Sequence, residues 1–324
     1  VNHKQEDNGL ADKLYIVVPC YNEEAVLRET ASRLADKLDR LAAGGHITPD
    51  SRVLLVDDGS ADATWSIITA LHREDVRFSG LKLAGNKGHQ NALLAGLLAA
   101  RERAEAVISM DADLQDDIDA VDAMLEKYRN GCDIVYGVRS DRKSDTAFKR
   151  MTAQGFYKCM AMLGVNIVYN HADYRLMSRR ALEGLAQFRE ANLFLRGIVP
   201  LIGYTTGQVE YERHERFAGE SKYPLKKMLS FAMDGVTSFS VRPIRLITLA
   251  GFLIFIASLF MAAYSLVVKL FGYTVAGWST LMGSIWLLGG LQLLALGIIG
   301  EYIGKIYNET KARPKYLIEE LLDE

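Results

Sequence analysis

The feature that most constrains this chain is a recurring pattern: a short apolar run halts at a polar cluster, and a stretch with helical periodicity follows. Tyr15 to Val18 runs into Pro19-Cys20-Tyr21-Asn22-Glu23-Glu24, and Arg52 to Val56 into Asp57-Asp58-Gly59-Ser60. Phe78 to Leu83 precedes Asn86-Lys87-Gly88-His89-Gln90-Asn91, and Val107 to Met110 leads into Asp111-Ala112-Asp113. Helices are predicted over Glu23 to Arg40, Ala63 to Arg73, Gln90 to Arg103 and Ile118 to Arg129, with a further strand over Cys132 to Gly137. Such alternation implies an α/β fold, a mostly parallel sheet with helices on both faces. After Arg139 the pattern loosens into a helix over Thr146 to Leu163, a short segment over Asp173 to Met177 and a strand near Gln208 to Arg213.

In a parallel sheet, ligands bind just beyond the carboxyl ends of the strands. Asp111 and Asp113, spaced i and i+2 after an apolar run, form a hard-oxygen pair suited to Mg²⁺ or Mn²⁺ carrying a diphosphate. The same residues also read as a strand-to-helix turn, with Asp116 or Asp117 capping a helix that begins at Ile118. Each of the four clusters alone reads as a turn or a cap. Together on one sheet edge they suit a nucleotide diphosphate, with carboxylates for ribose and base, a metal-binding pair for the phosphates and Lys87 as an added cation. No G-x-G-x-x-G or P-loop lysine motif is present, which argues against a dinucleotide enzyme or a P-loop ATPase.

The C-terminal third has a different character. Leu246 to Val268 contains no charged residue, and Ser279 to Gly300 has Gln292 as its strongly polar side chain. Each meets the ~20 apolar residues that a membrane-crossing helix needs. Arg242 and Arg245 precede the first span, and Lys305, Lys311, Arg313 and Lys315 follow the second, whereas the connecting loop has only Lys269. The positive-inside rule then puts both termini in the cytoplasm. Glycines at 283, 289, 290, 297, 300 and 304 favour close helix packing, within the hairpin or between protomers. Tyr223 to Val241 mixes Lys226, Lys227 and Asp234 with apolar residues and reads as amphipathic helix on the membrane surface. The expected division is a disordered tail over 1–12, a catalytic domain over 13–222, juxtamembrane helices over 223–244, two spans over 245–304 and a cytoplasmic tail over 305–324. A formal charge of −2 argues against nucleic-acid binding. Cys20, Cys132 and Cys159, odd in number and without CxxC spacing, read as reduced thiols.

At the level of motifs the chain resembles the polyisoprenyl-phosphate glycosyltransferases, inverting family 2 enzymes with the GT-A (Rossmann-like) fold. The group includes dolichol-phosphate mannose synthases, GtrB-type bactoprenol glucosyltransferases and aminoarabinose transferases. The resemblance is carried by VVPCYNEE (17–24), VDDGSADAT (56–64), NKGHQNALLAG (86–96) and DADLQDD (111–117). Downstream it continues in YGVR (136–139), HADYRLM (171–177), RFAGESKYP (216–224) and EYIGKIYNETKARPKY (301–316). It implies that Asp58 binds the nucleobase or ribose and that Pro19, Tyr21 and Glu23 line the same pocket. Asp111 and Asp113, assisted by Gln115, would hold the metal–diphosphate.

The second substrate implied is a polyprenyl phosphate, undecaprenyl phosphate in a bacterial plasma membrane. Its phosphate oxygen is already an anion, so basic residues must position it; the candidates are Arg139, Arg150, Arg175 and Lys222. Asp173 either orients the nucleophile or sugar hydroxyls, or forms a structural salt bridge to Arg175. His89 and His171 read as capping or packing residues. The expected reaction transfers one sugar from a nucleotide sugar, with UDP-glucose favoured over UDP-GlcNAc, UDP-galactose, GDP-mannose and UDP-aminoarabinose. The resemblance also implies a homo-oligomer, such as a tetramer. A processive synthase would need more spans and a QxxRW motif. A non-catalytic, membrane-tethered nucleotide sensor would lose either the Asp111–Asp113 pair or the basic set, and this chain keeps both.

Overall fold

The computed structural model describes residues 11–139, 171–190, 194–212, 242–271 and 277–323. They fall into two units, the first within Val1–Gln154, Ile167–Tyr223 and Pro314–Glu324, the second within Gly155–Asn166 and Pro224–Arg313.

The first unit is built on an eight-stranded sheet. Its strands are β1 (Leu14–Cys20), β2 (Arg52–Asp57), β3 (Phe78–Leu83), β4 (Ala106–Ser109), β5 (Ile134–Arg139), β6 (His171–Ser178), β7 (Thr206–Tyr211) and β8 (Ile318–Leu322). The spatial order is β7-β5-β6-β4-β1-β2-β3-β8. Parallel pairing joins β4, β1, β2 and β3, and also β5 with β7. Antiparallel β6 sits between β4 and β5, and antiparallel β8 closes the edge at β3. Every residue of β1 is buried, the continuous apolar run of a strand covered on both faces. From β1 the chain winds outward to β2 and β3, then crosses back to β4 on the other side. The reversal opens a crevice between the ends of β1 and β4, where a sheet of this kind receives its ligand.

Helices α1 (Leu27–Ala43), α2 (Thr64–Glu74), α3 (His89–Ala100) and α4 (Ala120–Arg129) connect β1 through β5 in turn. Helix α1 buries Leu27, Ala31, Leu34, Leu38 and Leu41, a stripe at helical spacing. Helix α3 is apolar almost all round and buries Ala92 through Leu97. It lies so near the sheet that a Cβ on Gly96 would stand 2.4 Å from Val17 Cγ1 and 2.7 Å from Val56 Cγ2. Short helices α5 (Arg179–Leu185) and α6 (Leu195–Ile198) follow β6. The second unit contains two long helices, α7 (Arg242–Leu270) and α8 (Trp278–Lys311). Over the described residues, no helix is long and apolar enough to cross a membrane; side chains at many positions of both helices lie outside the described set.

Several boundaries differ from the sequence reading. Helix α1 starts at Leu27 rather than Glu23, and the turn ahead of it is tied to the segment after β2: Asn22 N–H donates to Ser60 Oγ, Glu23 N–H to Thr64 Oγ1 and Glu24 N–H to Asp62 Oδ2. Helix α4 starts at Ala120 rather than Ile118, and neither expected cap serves it. Asp117 accepts the Asp119 amide in a tight turn (2.9 Å), and Asp116 is buried against Tyr211. Asp12, placed in the N-terminal tail by sequence, bridges to Ile47. The segment after Lys311, read as a tail, supplies β8. The helix expected over Thr146 to Leu163 and the interfacial segment over Tyr223 to Val241 lie outside the described residues.

Candidate active site

The site is built where β1, β2, β3 and β4 end. The loop after β4 carries Asp111 and Asp113 and is fixed from three sides. Met110 N–H donates to Val17 O, Thr30 Oγ1 donates to Ala112 O (2.8 Å), and Gln115 N–H donates to Asp113 Oδ1 (3.2 Å). Leu114 between them has φ of 57°, a left-handed conformation that costs a branched residue of order 1–2 kcal/mol. Its buried side chain anchors that turn.

Asp111 remains 36% exposed at its side chain. Its partial desolvation, together with the charges of Asp116, Asp173 and Asp113, pushes its carboxyl up to about 6 against the pull of His89. His89, the first residue of α3, bridges two carboxylates, with Nε2 3.7 Å from Asp111 Oδ1 and 3.6 Å from Asp173 Oδ2. Burial lowers the His89 pKa, but Asp173 and Asp111 outweigh it and raise the pKa overall.

The loops after β1, β2 and β3 are stitched together beside this pair. Asn22, at φ 55°, accepts the Ala61 amide, and Asp58 N–H donates to Cys20 O. Asp58 is buried and accepts the backbone amides of Lys87 (2.7 Å) and Gly88 (2.9 Å), one on each carboxylate oxygen. Burial raises its pKa despite those amides. It therefore clamps the 86–88 loop, a structural duty not read from the sequence. Of its expected pocket companions, Tyr21 is 47% exposed, Glu23 half-buried and Pro19 buried within β1, while the Lys87 side chain is exposed.

On β6, Asp173 is the hub of a buried cluster. Arg175 Nη2 donates to Asp173 Oδ1 (2.5 Å), Arg196 Nη2 to Oδ2 (3.1 Å) and Arg196 Nε to Oδ1 (3.3 Å). Burial favours the neutral acid, yet His89, Arg196 and Arg175 hold the Asp173 carboxyl well below the usual range. Arg175 itself is 1% exposed, and its Nε and Nη1 have no hydrogen-bond partner among the described residues. The Asp173–Arg175 pairing seen as one option in the sequence is present. So is Asp173's proximity to the Asp111 side of the site, through His89. Arg139, at the end of β5, stays accessible (28%) and approaches Asp116 Oδ1 at 3.7 Å. Arg150 and Lys222 lie outside the described residues.

Sequence reasoning set aside His89, read Asp116 only as a possible helix cap, and missed Arg196 and Tyr211. His89 was visible in the motif after β3. Arg196 and Tyr211 reach the site from distant positions that no local spacing marks.

The donor set fits a hard divalent cation. Several carboxylates crowd one point, and their mutual repulsion is what an added cation relieves. Among the described residues, no group of three or more His, Cys, Asp or Glu forms a cage alone. A cation held by one or two carboxylates and completed by substrate phosphate oxygens has that arrangement.

Comparison with known proteins agrees with this architecture. Residues 15–185 match the model of glycosyl transferase family 2, and residues 242–306 match the GtrB C-terminal hairpin. The chain is 56% identical to an uncharacterized glycosyltransferase, YkoT, of Bacillus subtilis, over 94% of this chain and 91% of that protein. It is 39% identical to a bactoprenol glucosyl transferase of Shigella phage SfX, over 95% of this chain and 99% of that protein. A prophage bactoprenol glucosyl transferase homolog of Escherichia coli is 38% identical, over 95% of this chain and 98% of that protein. A carboxylate pair at the switch point of a mostly parallel sheet, followed by a helical hairpin, is thus matched along nearly the whole length, and the chain belongs to glycosyltransferase family 2, in the group that carries the GtrB C-terminal hairpin.

Proposed function

We propose that this glycosyltransferase moves a single sugar from a nucleotide sugar, UDP-glucose, to undecaprenyl phosphate with inversion at the anomeric carbon. The observation that carries the reading is the pairing of the Asp111–Asp113 loop with the guanidinium of Arg139, linked through buried Asp116, in a chain that also bears the hairpin. Full-length likeness to proteins named bactoprenol glucosyl transferase supports the acceptor.

In this reading a phosphate oxygen of the lipid attacks the anomeric carbon, the bond to the diphosphate oxygen breaks, and the nucleoside diphosphate leaves with the electron pair. Bound Mg²⁺ or Mn²⁺ would supply charge neutralisation for that leaving diphosphate. Asp111 and Asp113, with Gln115 beside them, would hold the cation. Tyr21, Glu23 and Lys87 would line the nucleotide and its phosphates, with Asp58 keeping the Lys87 loop in place. Arg139 would position the acceptor phosphate, with Arg150 and Lys222 as further candidates. Arg175, buried beneath Asp173, would act from below by fixing that carboxylate. Because the acceptor is already an anion, no side chain has to remove a proton from it.

The same reading makes α7 and α8 a membrane hairpin. The described residues alone do not reach the length and apolarity of a span. Support for a span comes from Leu246 to Val268, which is uncharged throughout and lies within one continuous helix. The basic residues that flank the two helices support a cytoplasmic side of the plasma membrane for both termini. Close packing along the glycines of α8 would support a homo-oligomer.

The test is direct. Full-length protein in nanodiscs, given Mn²⁺ or Mg²⁺, undecaprenyl phosphate and radiolabelled UDP-glucose, is expected to yield an organic-extractable lipid-linked sugar. UDP-GlcNAc, UDP-galactose, GDP-mannose and UDP-aminoarabinose serve as competing donors. Absence of labelled lipid with every donor would reject the reading.

A further inference from the structure

Tyr211 appears in none of the motifs, yet it touches both sides of the site. It is the last residue of β7 and pairs in register with Arg139 on β5. Its ring is buried edge-on against Tyr174, with centroids 5.2 Å apart and planes at 86°. That packing fixes where the hydroxyl points. Tyr211 Oη donates to Asp116 Oδ1 at 2.5 Å and accepts from Arg139 Nε at 3.2 Å. Asp116 Oδ1 also lies 3.7 Å from Arg139 Nη2, so phenol, carboxylate and guanidinium close a three-membered ring of contacts.

Asp116 is 2% exposed and belongs to the 111–117 loop, five residues beyond Asp111. The second tyrosine secures the same loop, because Tyr174 Oη donates to Asp117 O at 2.9 Å. The two tyrosines, packed edge to face, one on β6 and one on β7, thus grip adjacent residues of the loop that carries the metal-binding pair. The grip also selects the part of Arg139 that is restrained. Tyr211 meets Nε and Asp116 faces Nη2, while part of the side chain stays accessible. An arginine that must receive a phosphate at a fixed distance from the donor diphosphate needs this restraint, since a free side chain would lose rotamer entropy on binding.

We propose that Tyr211, acting with Asp116, is a positioning residue that holds the Arg139 guanidinium in register with the Asp111–Asp113 loop, coupling the acceptor side of the site to its donor side. The inference rests on the proposed role of Arg139 toward the lipid phosphate. It assigns no contact between Tyr211 and either substrate.

The experiment compares Tyr211→Phe, Arg139→Ala and the double variant, in the full-length protein with undecaprenyl phosphate and the donor that supports transfer. Tyr211→Phe keeps the ring contact and removes only the hydroxyl. Loss of a hydrogen bond to charged partners is expected to raise KM for undecaprenyl phosphate roughly 5- to 30-fold. Donor KM and the midpoint of Mn²⁺ activation should change less than about twofold, within ordinary surface-mutation scatter. The double variant should be no worse in acceptor KM than Arg139→Ala alone, because the tyrosine acts through the arginine. Asp116→Asn, which keeps the shape and removes the charge, should also raise acceptor KM and guards against a phenylalanine variant that fails to fold.

An unchanged acceptor KM in Tyr211→Phe, or full additivity in the double variant, overturns the proposal and leaves the proposed function standing if Arg139→Ala still impairs acceptor use. A wild-type acceptor KM in Arg139→Ala removes the acceptor role of Arg139 and the coupling with it. Absence of lipid-linked product from the wild-type protein overturns the proposed function and this inference together.

Discussion

At the scale of single residues, the site divides its carboxylates by what surrounds them. Asp58 and Asp173 are occupied by amides and guanidinium groups, whereas Asp111 is left with a nearby imidazole and a surplus of negative neighbours. The surplus is why Asp113→Asn should be severe for turnover yet mild for folding. We expect activity to fall about 100-fold or more, by analogy with loss of a charge-stabilising group, while the melting temperature stays within about 2 °C. Retained turnover would remove the metal assignment. Protonation offers a second check. The Asp111 carboxyl is raised to about 6 and the His89 pKa is raised as well, so in metal-free protein both bind protons more readily folded than unfolded. Their contribution therefore stabilises the fold as pH falls through about 6. Thermal melts of metal-free protein between about pH 7.5 and pH 5.5 should show that gain, and Asp111→Asn should flatten it, the window following from the ordinary carboxylate and imidazole ranges. The residues of this cluster were unequally legible. Asp111, Asp113, Asp173 and His89 all sit in local motifs, but the role of His89, like that of Arg196, shows only when positions 89, 173 and 196 converge.

Among the elements, the strands that lead into the site were the readable part. β1, β2 and β3 are short apolar runs ended by turn-forming residues, and each formed within a few residues of its expected place. β6 was harder, since its alternation of buried polar Asp173 and Arg175 with Tyr174 and Leu176 obscures the apolar signal. β8 was missed, because IEELL is acidic and mostly exposed. Helix starts were placed too early where carboxylates and hydroxyls hold the preceding residues in turns of their own, as at Glu23 and Ile118. The closest element contact, α3 on β1 and β2, yields its own prediction. In Gly96→Ala the new methyl meets Val17 and Val56 at distances that require movement. Overpacking of about 1–3 kcal/mol outweighs the ~1 kcal/mol gained in helix propensity. A net destabilisation of roughly 1–2 kcal/mol by denaturant unfolding is expected, and a stabilised variant would mean that α3 can shift outward.

For the whole molecule, the decisive feature is how the sheet is completed. β8 pairs antiparallel with β3, and Asp323 just beyond it gathers three partners. Arg103 Nε lies 2.5 Å from its carboxylate, Ser79 Oγ donates to it at 3.3 Å, and Arg52 Nη1 donates to its backbone carbonyl at 2.7 Å. Asp323→Ala should cost about 1 kcal/mol, the scale of a partly exposed, charge-assisted pair. A thermal melt of the purified full chain measures it. Removal of residues 314–324 should cost more, because it strips β3 of its neighbour and leaves an unpaired edge prone to association.

The order of strands along the chain has a practical corollary. Helices α7 and α8 come after β7 but before β8, so the hairpin interrupts the catalytic domain in sequence instead of trailing it. Stopping the gene ahead of residue 242 would discard a strand of the sheet along with the helices. A version without the helices would instead have to be made by replacement, with a linker in place of the hairpin, so that the last strand is still there to pair with β3.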